Sequence, residues 1–207
     1  MHCRITCRYS NSVWVGVGFK VFDIAALQYL YGVNPTLRAE DNLYDFSQHY
    51  IADGAGDDVF NASAQQEAVT INLTAGEWSF IGTKQDSVLA DGQTVIGYGT
   101  VIEAAIGGEG HDTLQGNQVN NQLAGGLGDD SLTGGAGNDV LMGGEGSDHY
   151  FFAQGAGQDI IVDAGANSVI HLDNTLLNSL YYTNQKLYYG FQSDSISLDI
   201  ELVSNWV

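Results

Sequence analysis

The chain has 207 residues, with 25 Asp or Glu against only 6 Lys or Arg, which gives a formal net charge of -19. Such an acidic surface, without any basic patch, excludes nucleic acid and anionic lipid as partners because it repels phosphates. An apolar content of 44% is nevertheless too high for an acidic disordered tail and predicts a packed core.

The N-terminal segment, 1–20, differs in composition from the rest of the chain. It holds three of the six basic residues and the two cysteines, Cys3 and Cys7. We interpret residues 1–20 as an atypical N-terminal remnant and the cysteines as incidental rather than as a metal site. The apolar run at residues 13–19 is short and broken by glycines, so it does not predict a secretory signal. No apolar run in the chain approaches the length of a membrane-spanning helix.

Residues 21–106 form the next predicted segment. Residues 21–32 predict a short helix with Asp23 as N-cap and Gly32 as the left-handed residue after its end. From residue 36 to residue 98 the pattern changes to short β-like runs separated by Gly, Asn and Asp, among them residues 68–73 and 78–81.

A nine-residue period dominates residues 107–151. The five successive blocks are GGEGHDTLQ, GNQVNNQLA, GGLGDDSLT, GGAGNDVLM and GGEGSDHYF. Four of them fit Gly-Gly-x-Gly-x-Asp-x-U-x, where U is a large apolar residue. The second block keeps Gly116 and Leu123 and has Asn121 in place of the Asp.

The period continues weakly to residue 171. After a two-residue slip, residues 154–162 carry Asp159 and the apolar Ile161 at matching offsets, and residues 163–171 keep Ile170 but have Ser168 for Asp. Residues 172–207 then change to antiparallel strand patterns: residues 180–182, 187–189 and 195–202.

The period predicts a stacked fold. Each unit is a glycine turn followed by a strand too short to stand alone, and stacking buries the apolar residue at position 8 in a thin continuous core. Because two units complete one coil, each Asp faces the turn of the unit two places on. We therefore predict an all-β protein: a parallel β-roll of six to seven units over residues 107–171, with a short N-terminal helix and an antiparallel C-terminal cap.

Stacked carboxylates and exposed glycine carbonyls make an all-oxygen cage, which suits Ca²⁺ because this ion accepts six to eight oxygen ligands in irregular geometry. From residue 85 to residue 185 there is no Lys or Arg against 13 Asp or Glu, so a bound cation would neutralise the stack. The predicted calcium ligands in the repeats are Gly108, Gly110, Asp112, Asn121, Gly126, Gly128, Asp130, Gly135, Gly137, Asp139, Gly144, Gly146, Asp148, Gly155, Gly157 and Asp159.

The nonapeptide resembles the calcium-binding repeat of RTX (haemolysin-type) proteins. The strings DIAALQYLYG (23–32), residues 38–44, DGAGDD (53–58) and VIEAAIGG (101–108) also resemble, in order and spacing, the C-terminal region of serralysins, which are secreted zinc metalloproteases of Gram-negative bacteria. The resemblance implies further calcium ligands before the repeats, with Glu40 and Asn42 standing where the family usually has Gly and Thr: Arg38, Glu40, Asn42, Asp53, Ala55, Gly56, Asp58, Val101 and Glu103.

The catalytic signature of serralysins does not occur in this sequence. None of its five histidines is followed by Glu, and no Met lies between Met1 and Met142, whereas the family carries His-Glu-x-x-His and a Met-containing turn. We therefore expect several Ca²⁺ but no zinc, and no enzymatic activity.

Three other groups of residues have chemistry that suggests a function. His111 and His149 flank predicted ligand positions and are interpreted as solvated loop histidines. Well-placed carboxylates could suggest a glycosidase pair, but they are already assigned to calcium turns. The aromatic residues of the predicted C-terminal hairpin are interpreted as cross-strand packing, with sugar binding as the alternative. They are Tyr181, Tyr182, Tyr188, Tyr189 and Phe191.

The expected function is that of a calcium-binding module that folds on binding Ca²⁺ after secretion. We expect an extracellular, monomeric protein of a Gram-negative bacterium, with calcium and a type I secretion apparatus as partners. Residues 199–207 resemble a strand that follows RTX repeats in larger proteins, and Ser204 and Asn205 interrupt an export-signal pattern. The alternatives are a C-terminal fragment of a serralysin-like protease and a carbohydrate- or surface-binding module.

Overall fold

The structure, a computed structural model, describes residues 21–87, 90–163, 167–172, 181–183, 186–188 and 195–199. The predictions for residues 1–20, for Tyr189 and Phe191 and for the chain from residue 200 onward lie outside these ranges. Among the described residues, no helix has the length and apolar character that a membrane crossing requires.

The predicted short helix is confirmed as α1 (Val21–Tyr31). Gly32 ends it with φ of +76°, and its N–H donates to the Gln28 carbonyl (2.8 Å). The prediction that Asp23 is the N-cap is wrong, because the helix already includes Val21. Gln28 is buried and accepts a hydrogen bond from the Tyr50 hydroxyl, which ties the helix to the strands that follow.

The rest of the described chain is built from short strands. In chain order they are β1 (Leu43–Tyr44), β2 (Tyr50–Ile51), β3 (Val59–Asn61), β4 (Val69–Asn72), β5 (Trp78–Ile81), β6 (Gln93–Ile96), β7 (Ala104–Ile106), β8 (Thr113–Gln115), β9 (Gln122–Leu127), β10 (Ser131–Thr133), β11 (Val140–Glu145), β12 (His149–Phe152), β13 (Gln158–Val162), β14 (Val169–Leu172), β15 (Tyr181–Thr183), β16 (Lys186–Tyr188) and β17 (Ser195–Asp199).

These strands form two sheets. In one sheet the order is β1-β3-β7-β9-β11-β13-β17-β16-β15, and in the other it is β14-β12-β10-β8-β4-β5-β6-β2. Successive strands of the repeats alternate between the sheets, so the chain winds as a parallel β-solenoid. This confirms the predicted all-β roll with one short helix.

The strand register confirms that two nine-residue units make one coil. Leu114 pairs with Leu132, and Leu123 pairs with Leu141, so each partner lies two repeat units further along the chain. Leu141 in turn pairs with Ile161, so the slip predicted after residue 151 makes this coil longer than the preceding ones.

The core lies between the two sheets. The residues at position 8 of the repeats are all at most 1% exposed. They are Leu114, Leu123, Leu132, Leu141 and Tyr150. Each strand supplies few apolar side chains, so only the stack as a whole buries enough apolar surface to be stable.

The roll extends beyond the repeats at both ends. Before them, β1, β3 and β7 continue one sheet in parallel and β4 pairs with β8 in the other, with Phe60 and Ile71 fully buried in the same core. After them, β15 and β16 form the predicted antiparallel hairpin, but β17 also pairs in parallel with β13. The C-terminal segment is therefore joined to the roll through its sheet.

Candidate metal centre

The turns that join the two sheets stack along each edge of the roll. One stack contains the turns that end at Asp112, Asp130, Asp148 and Ser168. The other contains the turns that end at Asp58, Glu103, Asn121, Asp139 and Asp159. Glycine is needed where the turns approach one another. At Gly126, φ is +118° and a Cβ would collide with the Gly108 carbonyl oxygen of the turn below.

A ladder of hydrogen bonds connects the Asp residues within each stack. The N–H of Asp112 donates to Oδ1 of Asp130 (2.8 Å), and the N–H of Asp130 donates to Oδ1 of Asp148 (2.9 Å). The ladder ends at Ser168, whose hydroxyl oxygen accepts from the N–H of Asp148 (3.0 Å). On the other edge, the N–H of Asp139 donates to Oδ1 of Asp159 (2.9 Å).

The ladder uses only one oxygen of these carboxylates. Oδ2 of Asp130, Asp139 and Asp148 is buried and has no hydrogen-bond partner. All three residues are at most 1% exposed. Burying a carboxylate oxygen without a partner costs desolvation free energy, and a bound proton or cation would remove this cost at each such oxygen.

Burial is the main electrostatic effect on these groups. Burial, assisted by the charges of Asp112 and Asp148 and opposed by the Asp112 N–H, raises the pKa of the Asp130 carboxyl to about 7. Burial likewise raises the pKa of Asp139 to about 6 and raises the pKa of Asp148. The turns thus hold negative charge where solvent does not compensate it.

Backbone carbonyls supply the remaining oxygens around the turns. The carbonyl oxygens of Gly108, Gly110, Gly126 and Gly128 each lie against the turn of the next coil in their stack. The carbonyl oxygen of Gly137 lies against the turn of Gly157 in the same way. Among the described residues, no three His, Cys, Asp or Glu side chains cluster as a metal site would require. An ion in these turns would therefore be held by carboxylates and carbonyls together, a donor set that fits Ca²⁺.

Asp58 repeats this arrangement before the repeats. Its Oδ1 accepts from the N–H of Asn42 (2.8 Å), its own N–H donates to Oε2 of Glu103 (2.8 Å), and its Oδ2 is buried without a partner. Burial raises its pKa to about 6, and the charges of Asp53 and Glu103 add to the increase. The structure thus brings Asp58 and Glu103 together as the resemblance implied, while Val101 is 41% exposed.

Asp53 lies nearby but is already satisfied. Its Oδ2 accepts from the Tyr44 hydroxyl and from Nδ2 of Asn42 (3.4 Å), and its Oδ1 accepts from the N–H of Ala55 (3.0 Å). Nδ2 of Asn42 also donates to the carbonyls of Arg38 (3.2 Å) and Glu40.

Asn121 differs from the Asp residues of its stack. Its Nδ2 donates to the carbonyls of Ile102 and Glu103 (both 3.2 Å), and its Oδ1 accepts from the N–H of Asn117 (2.8 Å). The carboxylate ladder is therefore interrupted between Glu103 and Asn121.

A second ladder runs along the residues that precede the Asp positions. The N–H of Asp129 donates to Nδ1 of His111 (2.8 Å), and the N–H of Ser147 donates to Oδ1 of Asp129 (2.8 Å). The interpretation of His111 as a solvated loop residue is therefore incomplete, because its imidazole binds the next turn. The available signal was that His111 and Asp129 lie two repeat units apart.

His149 also has a partner that the sequence reasoning missed. It lies at the start of β12, not in a loop, and its Nδ1 is 2.7 Å from Nε2 of His171 on β14. His171 also stacks on Phe151, with ring centroids 4.5 Å apart. The parallel pairing of β12 with β14, which places Phe151 opposite His171, creates this cluster.

Comparison with known proteins agrees with the geometry of the turns. Residues 104–118 and 115–150 match the family model of the RTX calcium-binding nonapeptide repeat. The chain is 35% identical to "Serralysin" of Proteus mirabilis over 48% of this chain and 22% of that protein. It is 38% identical to "Serralysin" of Photorhabdus laumondii (48% and 23%) and 37% identical to "Metalloprotease AprA" of Pseudomonas entomophila (48% and 23%).

The chain therefore carries RTX calcium-binding repeats folded as a β-roll, and about half of it is similar to part of the serralysins. It spans just over a fifth of the length of the curated relatives that it matches.

Proposed function

We propose that this chain is a non-catalytic module whose β-roll folds when it binds several Ca²⁺ ions outside the cell. The observation that carries the proposal is the set of buried Oδ2 atoms of Asp130, Asp139 and Asp148, which have no hydrogen-bond partner and lie in turns lined by glycine carbonyls. When bound, calcium would supply the positive charge that these turns lack.

Within this proposal, the Asp side chains and the glycine carbonyls have different roles. The Asp carboxylates of the two stacks hold the ion with one oxygen and keep the next coil in register with the other. The glycine carbonyls complete the oxygen shell. Asp58 and Glu103 form a further site with the carbonyls of Gly56 and Val101, as the resemblance to serralysins implies.

Without calcium, several carboxylates with raised pKa values lie in buried turns, and at neutral pH the cost of burying their charges, together with repulsion between Asp130 and its acidic neighbours, opposes folding. At the low calcium of a cytosol the repeats would stay unfolded, and at millimolar extracellular calcium they would fold. An unfolded chain inside and a folded one outside suits export through a narrow channel, so we propose type I secretion from a Gram-negative bacterium and a monomeric product.

The four predicted segments are part of the proposal. Residues 107–171 would form the calcium-dependent roll, residues 21–106 would extend it, residues 172–207 would cap it, and residues 1–20 would take no part.

The direct test is far-UV circular dichroism of the chain with a chelator, with Mg²⁺ and with millimolar Ca²⁺. We expect β-structure to form with Ca²⁺ and not with Mg²⁺, because Mg²⁺ demands a smaller and more regular oxygen shell. Equal β content in all three conditions would refute calcium-dependent folding. Casein hydrolysis by the purified chain would refute the non-catalytic part of the proposal.

A further inference from the structure

Two of the oxygen cages predicted to hold calcium contain an asparagine amide nitrogen at their centre. We infer that the side-chain amides of Asn42 and Asn121 close these cages in place of Ca²⁺, so that neither cage takes an ion. The inference rests on the proposed calcium binding of the other turns and specifies which cages of the stack remain free of metal.

The cage at Asn121 shows the substitution most clearly. In the later coils of the repeats, a carboxylate oxygen accepts the N–H of the residue at the same position in the turn below, as Asp130 does from Asp112 and Asp139 does from Asn121. Here Nδ2 of Asn121 instead donates to the carbonyls of Ile102 and Glu103 at 3.2 Å each. The position of Nδ2 is fixed by its neighbours, since Oδ1 faces the N–H of Asn117 and Nδ2 faces two acceptors.

A second amide supports the first. Nδ2 of Asn117 donates to the same Ile102 carbonyl at 2.8 Å. The backbone of this turn also differs from that of the later turns. Gly135 and Gly137 of the next turn in the stack adopt φ of +103° and +128°, whereas Asn117 and Val119 at the matching positions are not among the positive-φ residues.

The cage at Asn42 has the same design. Nδ2 of Asn42 lies 3.2 Å from the Arg38 carbonyl and 3.4 Å from Oδ2 of Asp53, and it also donates to the Glu40 carbonyl. These three oxygens belong to the ligand set that the serralysin resemblance implied for one ion. Asp53 has further donors in the Tyr44 hydroxyl and the Ala55 N–H, so its buried carboxylate does not need a cation.

Amide and ion exclude one another at these places. A calcium ion lies about 2.3–2.6 Å from its oxygen ligands. An ion that touched both carbonyls of either cage would occupy the space in which the amide hydrogens lie. The amide supplies partial positive charge to the same carbonyls in both cages, and at Asn42 the Tyr44 hydroxyl and the Ala55 N–H also satisfy Asp53. The unpaired Oδ2 atoms of Asp130, Asp139 and Asp148 mark the opposite situation.

The test counts bound ions by native mass spectrometry of the full chain in excess Ca²⁺, with folding verified by circular dichroism. Asn42→Ala and Asn121→Ala should each bind no fewer ions than the wild type, because an amide that excludes the ion is not a ligand. Asn42→Asp and Asn121→Asp should each bind one more ion. The matched control is Asp139→Asn, one coil beyond Asn121 in the same stack, which makes the reverse isosteric change and should bind one ion fewer.

The inference is overturned if either alanine variant loses an ion, since the asparagine would then be a ligand. It is also overturned if neither aspartate variant gains an ion while Asp139→Asn loses one. Asn121→Ala introduces no new charge, so it decides the question for that cage even if Asn121→Asp does not fold. For the other cage the resemblance implies the Asn42 carbonyl, not its side chain, as a ligand, so Asp53→Asn decides it. Asp53→Asn should keep the wild-type ion count, and the loss of an ion would overturn the inference. A wild type that binds no calcium at all would instead refute the proposed function.

Discussion

Asp130→Asn is the substitution that most sharply separates the two roles of a turn carboxylate. Asp130 is fully buried, its Oδ1 accepts from the N–H of Asp112 at 2.8 Å, and its Oδ2 has no partner. Asparagine has the same shape and can keep the first contact. It removes the negative charge. Without calcium, the variant therefore lacks the electrostatic cost of a buried carboxylate, and with calcium it lacks a charged ligand for the ion.

The size of each effect follows from the structure. Burial and neighbouring charges raise the pKa of Asp130 from 3.8 to about 7. Such a shift corresponds to at most ~4 kcal/mol at high pH, and water penetration lowers it to roughly 2–4 kcal/mol. Removing the charge should stabilise the ion-free chain by this amount. Each bound ion contributes ~2.7 kcal/mol at about 100 times its Kd and ~4.1 kcal/mol at about 1,000 times its Kd, so losing one ion removes ~1.4 kcal/mol of the calcium-dependent gain between these concentrations.

The assay is thermal unfolding of the wild type and the variant in calcium at about 100 and about 1,000 times its Kd, where both are expected to be folded. For a chain of this size, 1 kcal/mol changes Tm by about 2–4 °C. The calcium-induced increase in Tm between these two concentrations should therefore be smaller by roughly 3–6 °C in Asp130→Asn, because the variant binds one ion fewer.

The matched control is Asp129→Asn. Asp129 is exposed and carries the same charge, but its Oδ1 belongs to the second ladder, where it accepts from the N–H of Ser147. Its substitution should leave the calcium-induced increase in Tm close to that of the wild type. Equal behaviour of the two variants would refute the assignment of the buried carboxylate to the ion and leave only a net-charge effect.

Three further predictions concern pH, the glycine turns and the core. In the ion-free chain the carboxyls of Asp130, Asp139 and Asp58 have pKa values above the usual 3.8, so the folded state binds more protons than the unfolded state. Urea denaturation of the ion-free chain should therefore show a free energy of unfolding that is highest below about pH 4 and decreases as the pH rises to about 7. An increase over this range would contradict the burial of these groups. In calcium, Gly155→Ala should lower the free energy of unfolding by only the ~1–2 kcal/mol of a left-handed alanine, since nothing lies within 4 Å of the added Cβ. Gly126→Ala should lower it clearly more, because the added Cβ would collide with the Gly108 carbonyl oxygen. Equal losses would mean that the turns are not in contact. Leu132→Ala should lower the free energy of unfolding in calcium by about 2–5 kcal/mol. Leu127 is 46% exposed, so Leu127→Ala should change it by less than ~0.5 kcal/mol. Similar losses in the two variants would contradict a core that lies between the sheets.

The repeat region could be predicted from sequence because its signals are local and periodic. The nine-residue spacing set the inward position of Leu132 and its pairing with Leu114 two units earlier, and both are confirmed. Even the slip after residue 151 could be read from the offsets of Asp159 and Ile161. In such a solenoid, each contact repeats the previous one, so one unit predicts the next.

The predictions were less complete where contacts depend on non-repeating partners. The strands before residue 107 have no common period, and their place in the same two sheets depends on pairings such as that of β3 with β7. The pairing of β17 with β13 is equally non-local. The approach of His149 to His171 depends on the register of β12 and β14, which lies beyond the strict repeats.

Residue type alone also did not reveal the roles of the asparagines. Asn121 occupies the position of a ligand Asp, and from sequence its amide oxygen could serve as a ligand. Which end of the amide faces the carbonyls depends on the N–H of Asn117, a backbone detail that no spacing pattern contains. The same holds for Asn42, whose amide contacts the carbonyls of Arg38 and Glu40 and also the carboxylate of Asp53, which is 11 residues further along the chain.

The central claim is that calcium neutralises the buried carboxylates and thereby folds the roll. The most direct measurement is a calcium titration of the chelated chain at neutral pH, followed by far-UV circular dichroism, with Mg²⁺ as the parallel titration. The account predicts a cooperative gain of β-structure at up to millimolar Ca²⁺ and none with Mg²⁺. A chelated chain that already shows the full β content at neutral pH, unchanged by added Ca²⁺, would contradict it.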